Sequence, residues 1–292
     1  MRHRFVEATV AEVGLVLHRH RPQVQELAEQ AVGWLEAHGH SARFTTEDAE
    51  IAPRRAAADN DAFAAGLDLV LSMGGDGTML RSVNLVASHD VNVLGVNVGQ
   101  LGYLTETEPS GLTTALERYF AGDFDIEQRM LLEVTTRLSD GCTTVDHPLN
   151  EAVLEKTAAG HTVRLAVTLD GEYFTTYATD GLIVATPTGS TAYAFSARGP
   201  IVDPAHRAIL LTPVSPHMLF DRTLVLEPDT QLLVTVADHR AATLTIDGRP
   251  AGVLHEGDSI TCRASQHSAR LVTFGPRNFH RILKAKFGLN DR

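Results

Sequence analysis

The sequence predicts two domains: an amino-terminal α/β domain built on a parallel sheet, and a carboxyl-terminal all-β domain of the β-sandwich type. Three observations carry this. A length of 292 residues suits about two domains, at roughly 100–200 residues each. In the first third, short apolar runs alternate with segments of helical periodicity, which implies parallel strands joined by crossover helices. From about residue 123 the pattern changes to many short strand-like runs with turn signals between them, as in a sandwich.

The elements follow in order. Val13 to Leu17 is a short apolar strand, and Pro22 to His38 a helix with Val24, Leu27, Ala28, Ala31 and Leu35 at helical spacing, ended by Gly39. Leu67 to Ser72 is continuously apolar, as expected of a strand covered on both faces. Thr78 to Ser88 reads as a helix and Val91 to Val98 as the next strand. The Ala-rich, charged stretch Glu47 to Ala65 reads as a surface loop plus a helix. In the second domain, strands are expected at Leu131–Thr136, Val163–Leu169, Glu172–Tyr177, Gly181–Ala185, Ile209–Pro213, Thr223–Leu226, Gln231–Val236, Ala242–Ile246 and Ser259–Ala264. Asp170-Gly171, Asp247-Gly248 and Glu256-Gly257 are the turn signals among them. Phe279 to Phe287 is helical again and is expected to return to the first domain. The boundaries drawn are therefore residues 1–122 plus 275–292 for the α/β domain and 123–274 for the all-β domain.

Composition narrows the function. Hydrophobic residues make up 43% and charged residues 21%, which excludes intrinsic disorder and collagen-like repeats. The net charge of −11 argues against a general nucleic-acid binder, whose affinity comes from clustered Lys and Arg. It leaves room for a small phosphorylated ligand held by backbone amides. Cys142 and Cys262 form no CxxC pair, so a thiolate zinc site is not expected, and two free thiols suit a reducing compartment. No stretch reaches the ~18 apolar residues of a membrane span, and Met1 to Arg21 has no run of signal-peptide length. A soluble, cytoplasmic protein is expected. The fourteen histidines are scattered and read mostly as surface or loop residues, and no HExxH motif argues for zinc.

Three segments carry chemistry. Gly74-Gly75-Asp76-Gly77-Thr78 lies directly after an apolar strand and directly before a helix. Ligands of open α/β sheets bind at such strand ends, and backbone N–H groups at a helix amino terminus suit phosphate oxygens. Asp76, at the lip, can take a proton from an alcohol or help hold a metal ion; as a structural feature alone, the string is a tight turn with Asp76 or Thr78 as helix cap. The second segment, Thr179 to Tyr193, runs a strand into TPTGSTAY, dense in hydroxyls at Thr188, Ser190 and Thr191. Tyr193 offers a flat face for a purine. The third is Asn150-Glu151, where an amide can read a base edge and a carboxylate can grip vicinal ribose hydroxyls.

GGDGT is shared by a kinase superfamily that covers phosphofructokinase-like, diacylglycerol-kinase-like and NAD-kinase-like proteins. GGDGT, then Asn-Glu, then TDGLIVATPTGSTAYAFSARGPIVDP at Thr179 to Pro204 together resemble the NAD kinase family in order and spacing, from roughly Leu67 to the carboxyl terminus. The resemblance implies phosphoryl transfer to the 2′-hydroxyl of the adenosine ribose of NAD, giving NADP. It also implies a Rossmann-like first domain, an all-β second domain and a site between them. By motif position it implies that Asp76 is the general base, with Gly74, Gly75, Gly77 and Thr78 around it and Arg81 near a phosphate. Asn150 and Glu151 would bind adenosine, Glu151 on the ribose. Thr188, Thr191, Ala192, Tyr193 and Ser196 would line the adenine and ribose pocket, and Asp180 would face the nicotinamide side. His161 and Arg249 align with substrate-contact positions.

The resemblance further implies ATP or inorganic polyphosphate as donor, with Mg²⁺ or Mn²⁺ carried largely by the donor's phosphates, since magnesium needs few protein carboxylates. A homodimer or homotetramer is expected. Ala178 stands where some relatives carry a large basic residue, which implies loose discrimination between NAD and NADH. Two other readings stay open: a lipid kinase sharing the glycine loop, which would want an apolar acceptor pocket or a membrane-facing patch, and a non-catalytic dinucleotide-sensing module.

Overall fold

The computed structural model describes residues 10–52, 57–99 and 102–289. The chain divides into two compact units, residues 1–128 with 269–292, and residues 129–268.

Unit 1 opens with β1 (Glu12–Leu17), α1 (Gln23–Ala37), β2 (Ser41–Thr45), α2 (Thr46–Ala49), β3 (Ala57–Ala58) and α3 (Asn60–Phe63). It continues with β4 (Leu69–Gly74), α4 (Asp76–Val86), β5 (Asn92–Asn97) and α5 (Leu112–Phe120). The strands pair in the order β5-β4-β1-β2-β3, all parallel. Parallel strands need crossovers and covered faces, and the sequence supplies both. β4 is buried along its whole length. Val13, Leu15 and Leu17 of β1 and Leu69, Leu71 and Met73 of β4 pack with Val24, Leu27, Ala31 and Leu35 of α1 and with Leu112, Leu116 and Tyr119 of α5. α5, an element beyond those expected from the sequence, buries Leu112, Ala115, Leu116 and Tyr119 at i, i+3, i+4 and i+7.

Unit 2 contains β6 (Asp125–Arg137), β7 (Thr143–Asp146), β8 (Glu151–Lys156), β9 (Val163–Leu169), β10 (Glu172–Thr179) and β11 (Gly181–Ala185). After the short α6 (Tyr193–Ser196) come β12 (Ile209–Val214), β13 (Leu224–Leu226), β14 (Leu232–Val236), β15 (Ala242–Ile246), β16 (Arg249–Leu254) and β17 (Ser259–Thr273). One sheet runs β13-β12-β11-β8-β15-β16, and the other β10-β9-β14-β17 with β6 and β7 beyond. Alternate residues of both sheets meet in one core, including Leu132, Leu154, Leu165, Tyr177, Leu182, Leu211, Val234 and Leu244, so the second domain is a β-sandwich. Asp170-Gly171 and Asp247-Gly248 have positive φ at both residues, as two-residue hairpin turns require. These turns join β9 to β10 and β15 to β16.

α7 (Phe279–Phe287) falls in unit 1. The unit boundaries lie at 128/129 and 268/269, where the sequence reading drew 122/123 and 274/275. β6 and β17 are the reason, since both run well past the apolar cores expected from sequence, at Leu131–Thr136 and Ser259–Ala264. The stretch 47–65 also differs from a surface loop plus helix, with residues 53–56 outside the described residues. Asp48 and Phe63 are fully buried there.

Leu154 sits at 1% exposure in the sandwich core. Leu154→Ala is expected to cost about 2–5 kcal/mol through lost burial and a residual cavity, read as a lowered urea midpoint.

Candidate functional site

In unit 1, β4 delivers the chain to Gly74-Gly75, and α4 begins at once at Asp76 with Gly75 as its cap. The helix starts two residues before the expected Thr78, because the extended Gly75 supplies the capping carbonyl to the Thr78 and Met79 amides at 3.0 and 3.1 Å. Asp76 is thus the first helical residue, and neither it nor Thr78 caps the helix through its side chain. Beside this turn lies a cavity of about 430 Å³ lined by the His18–Arg21 run, by Gly75, Gly77 and Thr78, and by Arg81. A helix amino terminus presents N–H groups without intrahelical acceptors. Three arginines join it here. His18 is pushed below the usual imidazole value by burial first, then by Arg21 and His20.

Arg81, expected near a phosphate, does line this cavity. Its guanidinium is anchored from behind. Nη2 meets Asp48 Oδ2 at 2.5 Å and Thr45 Oγ1 at 3.1 Å, and Nη1 donates to the Leu17 carbonyl at 3.2 Å. Arg19 pairs with Glu47. Sequence reasoning missed the His18-Arg19-His20-Arg21 run as a site. Its signal was available: four basic or imidazole side chains follow directly on the carboxyl end of a parallel strand, where α/β ligands bind.

The Asp76 carboxylate accepts the Tyr103 amide at Oδ2 and the Leu104 amide at Oδ1, both at 3.0 Å. The Lys286 ammonium of α7 lies 3.9 Å from Oδ2, and the Asp76 side chain remains one-third exposed.

In unit 2 the Asn150-Glu151 segment is held by a carboxylate that the sequence reading treated only as part of a turn. Asp247 accepts the amides of Leu149, Asn150 and Glu151 at 2.9, 2.8 and 3.0 Å. Thr186 closes the knot: its amide donates to the Asn150 carbonyl at 2.9 Å and its hydroxyl to the Leu149 carbonyl at 2.6 Å. Gly189 follows, and a Cβ there would fall on the Asn150 backbone, 2.6 Å from its carbonyl carbon. TPTG therefore needs its glycine for the close approach of two backbones.

Glu151 is 7% exposed, and its Oε2 is buried with no hydrogen-bond partner among the described residues. Burial pushes its pKa up to about 8, helped by the charge of Asp247 and opposed by the Tyr193 amide. A protonated carboxyl there can both donate to and accept from a pair of vicinal hydroxyls.

The hydroxyls of TPTGST face inward more than the sequence suggested. Thr188 accepts from the buried Arg129 at 3.3 Å, Ser190 donates to the Pro187 carbonyl at 2.6 Å and accepts the Val202 amide at 3.0 Å, and Thr191 donates to the Thr188 carbonyl at 3.3 Å. The short 3₁₀ turn over Thr188–Thr191 brings those carbonyls within reach. Tyr193 and Ser196 line a second cavity of about 500 Å³ with Pro213–Pro216, Met218 and Asp221–Thr223. The Tyr193 hydroxyl donates to Glu155 at 2.6 Å, and burial together with Glu155 and Asp180 pushes it up to about 12. Asp180 pairs with Lys156 at 2.6 Å. Arg249 opens β16 beside the Asp247 turn and is exposed. His161 is exposed in the loop before β9.

Residues 13–124 match the family model of the ATP-NAD kinase N-terminal domain, and residues 149–274 that of the ATP-NAD kinase C-terminal domain. The chain belongs to the NAD kinase family. It is 42% identical to the NAD kinase of Heliobacterium modesticaldum, a match over 94% of this chain and 97% of that one. It is 37% identical to the NAD kinase of Moorella thermoacetica, over 94% and 88%. Among solved structures it is similar to yeast NADH kinase complexed with NADH, at a TM-score of 0.89 and 25% identity, over 98% of this chain and 90% of that one. The fold also matches an NAD kinase from Archaeoglobus fulgidus in complex with ATP, at a TM-score of 0.70 and 24% identity, over 97% and 100%. NAD kinases are phosphotransferases, and these matches give no support to the lipid-kinase alternative. No helix among the described residues is long and apolar enough to cross a membrane. Both cysteines are free, Cys262 buried and Cys142 exposed.

The raised Glu151 carries a pH signature. Between its ordinary value of 4.5 and about 8, the folded chain holds a proton that the unfolded chain has released. Its contribution to stability is therefore full below about pH 4.5 and is lost as pH rises towards 8. Glu151→Gln is expected to flatten that part of the decline, measured by urea unfolding of both proteins at pH 5, 6, 7 and 8.

Proposed function

We propose that this member of the NAD kinase family phosphorylates the 2′-hydroxyl of the adenosine ribose of NAD to give NADP, with Asp76 as general base and ATP as donor. The observation that carries the reading is the cavity at the amino end of α4. It combines a helix terminus, three arginines and two histidines, a lining suited to a chain of phosphates. The same lining supports inorganic polyphosphate as a second donor.

A ribose hydroxyl is almost wholly un-ionised at neutral pH, and a loose phosphoryl-transfer transition state asks for positioning and charge neutralisation before it asks for a strong nucleophile. Asp76 orients the hydroxyl and accepts its proton as the new bond forms. The Gly75–Thr78 backbone, Arg19, Arg21 and Arg81 neutralise the donor. Glu151 holds the ribose through its vicinal hydroxyls, Asn150 reads the adenosine, and Tyr193, with Thr191, Ala192 and Ser196, lines the purine side. Thr188 supports that pocket from beneath. Asp180 addresses the nicotinamide side, and Arg249 and His161 complete the reading as outer contacts.

The described residues hold no group of three or more His, Cys, Asp or Glu placed to grip a metal ion. This reading takes Mg²⁺ or Mn²⁺ as carried largely by the donor's phosphates. When bound with the donor, such an ion supplies charge neutralisation across the phosphoryl oxygens. Self-association is part of the reading, since Tyr173, Phe174, Leu219 and Phe220 leave apolar surface exposed on unit 2.

Two outcomes test this. Incubation with NAD, Mg²⁺ and either ATP or polyphosphate is expected to yield NADP by an NADP-specific assay, whereas a sensing module yields none. Asp76→Asn is expected to lose at least ~10² in kcat while NAD still binds; activity within a few-fold of wild type removes Asp76 from the base role. The small Ala178, whose carbonyl takes the His217 amide at 2.8 Å, predicts kcat/KM values for NAD and NADH within about 10² of each other.

A further inference from the structure

We propose that Lys286, on the carboxyl-terminal helix α7, is a positioning residue for Asp76, holding its carboxylate in the reactive rotamer and countering its charge while the anionic donor is bound. The inference rests on the reading of Asp76 as base and extends it to a segment that neither the glycine loop nor the nucleoside motif includes.

Three observations in unit 1 converge. The Lys286 ammonium lies 3.9 Å from Asp76 Oδ2. The same ammonium sits over the Tyr103 ring, 4.3 Å from its centroid, a cation–π distance. Tyr103 in turn donates its amide to the same Oδ2, and Leu104 donates to Oδ1. The Gly102 backbone comes so close that a Cβ there would fall on Asp76 Oδ1. Asp76, the Gly102–Leu104 loop and Lys286 thus form one unit, with the loop gripping the carboxylate from one side and the lysine head tied to both.

The physical need is specific to phosphoryl transfer. A carboxylate base has to stand within a few ångströms of a polyphosphate donor, and like charges at that range repel. A cation beside the carboxylate removes much of that repulsion without taking the carboxylate's lone pairs, because at 3.9 Å the ammonium is an ion-pair partner outside hydrogen-bond range. The Lys286 side chain is only 26% exposed, so salt screens it less than a free surface lysine. Arg277 fixes the approach to α7: it is 12% exposed, donates to the Thr105 carbonyl at 2.5 Å and pairs with Glu106 and Glu127 at 3.4 Å. The helix is thereby tied to the loop that grips Asp76.

The test is a double-mutant cycle in the full-length enzyme, with NAD, ATP and Mg²⁺. Lys286→Met is expected to lower kcat at least tenfold with KM for NAD changed less than about threefold, and Lys286→Arg, which keeps the charge, to recover most of the loss. In the Asp76→Asn background, Lys286→Met is expected to change the residual kcat less than twofold, because the lysine acts through that carboxylate. A kcat within twofold of wild type for Lys286→Met, failure of Lys286→Arg to recover, or an undiminished loss in the Asp76→Asn background would each overturn the proposal. Asp76→Asn alone reports on the base itself. Full activity there sinks the base reading, whereas a large loss there combined with a silent Lys286→Met sinks the lysine alone.

Discussion

Both candidate sites depend on one interaction, a carboxylate that takes backbone N–H groups from a neighbouring segment. Asp247 gathers three consecutive amides at Leu149, Asn150 and Glu151, and Asp76 gathers two at Tyr103 and Leu104. A charged acceptor bonded to several amides is worth more than a neutral pair and is directional. It fixes a loop without spending a side chain of that loop. The loop's own side chains are then left for a ligand. Glu151 shows the consequence: its backbone is secured by Asp247, so its carboxyl stays buried and only partly satisfied. That is an energetically unfavourable state for a buried polar group.

The legible part of the sequence was the part where local pattern and global need agree. β4 reads as a buried strand and is one, and the glycines after it leave no alternative to a turn at the helix entrance. The Asp-Gly hairpins announced themselves because their backbone conformation admits few residue types. The illegible part was tertiary. Asp247 looked like a turn residue because its carboxylate reaches a strand almost a hundred positions earlier in the chain. Asp48 looked like surface in a charged stretch, yet it is buried because Arg81 comes to meet it. Lys286 carries no motif at all. Its proximity to Asp76 and Tyr103 is visible only where α7 packs.

TPTGST shows a subtler limit. Its hydroxyls suggest a row of donors waiting for a ligand. A 3₁₀ turn leaves carbonyls that need donors within three residues, and short hydroxyl side chains meet that need locally. Ser190 and Thr191 satisfy the Pro187 and Thr188 carbonyls. The hydroxyls thus shape the turn, and the turn in turn places the Tyr193 amide against Glu151. Composition drew attention to the hydroxyls, and the structure turns Ser190 and Thr191 back onto the turn's own carbonyls.

A net charge of −11 and a cavity lined by basic side chains coexist because the relevant field is local. Charges beyond a Debye length of about 8 Å are largely screened at physiological ionic strength, so most of the acidic surface is not felt inside a small cavity. What is felt is the positive end of α4 and the three guanidinium groups of Arg19, Arg21 and Arg81. Two of these already have carboxylate partners, Arg19 with Glu47 and Arg81 with Asp48. Those pairs hold the two arginines in place and restrict their side-chain freedom. The pairs also reduce the net positive charge at the cavity. Asp76 follows the same pattern, with the Lys286 ammonium 3.9 Å from its Oδ2 and the side chain one-third exposed.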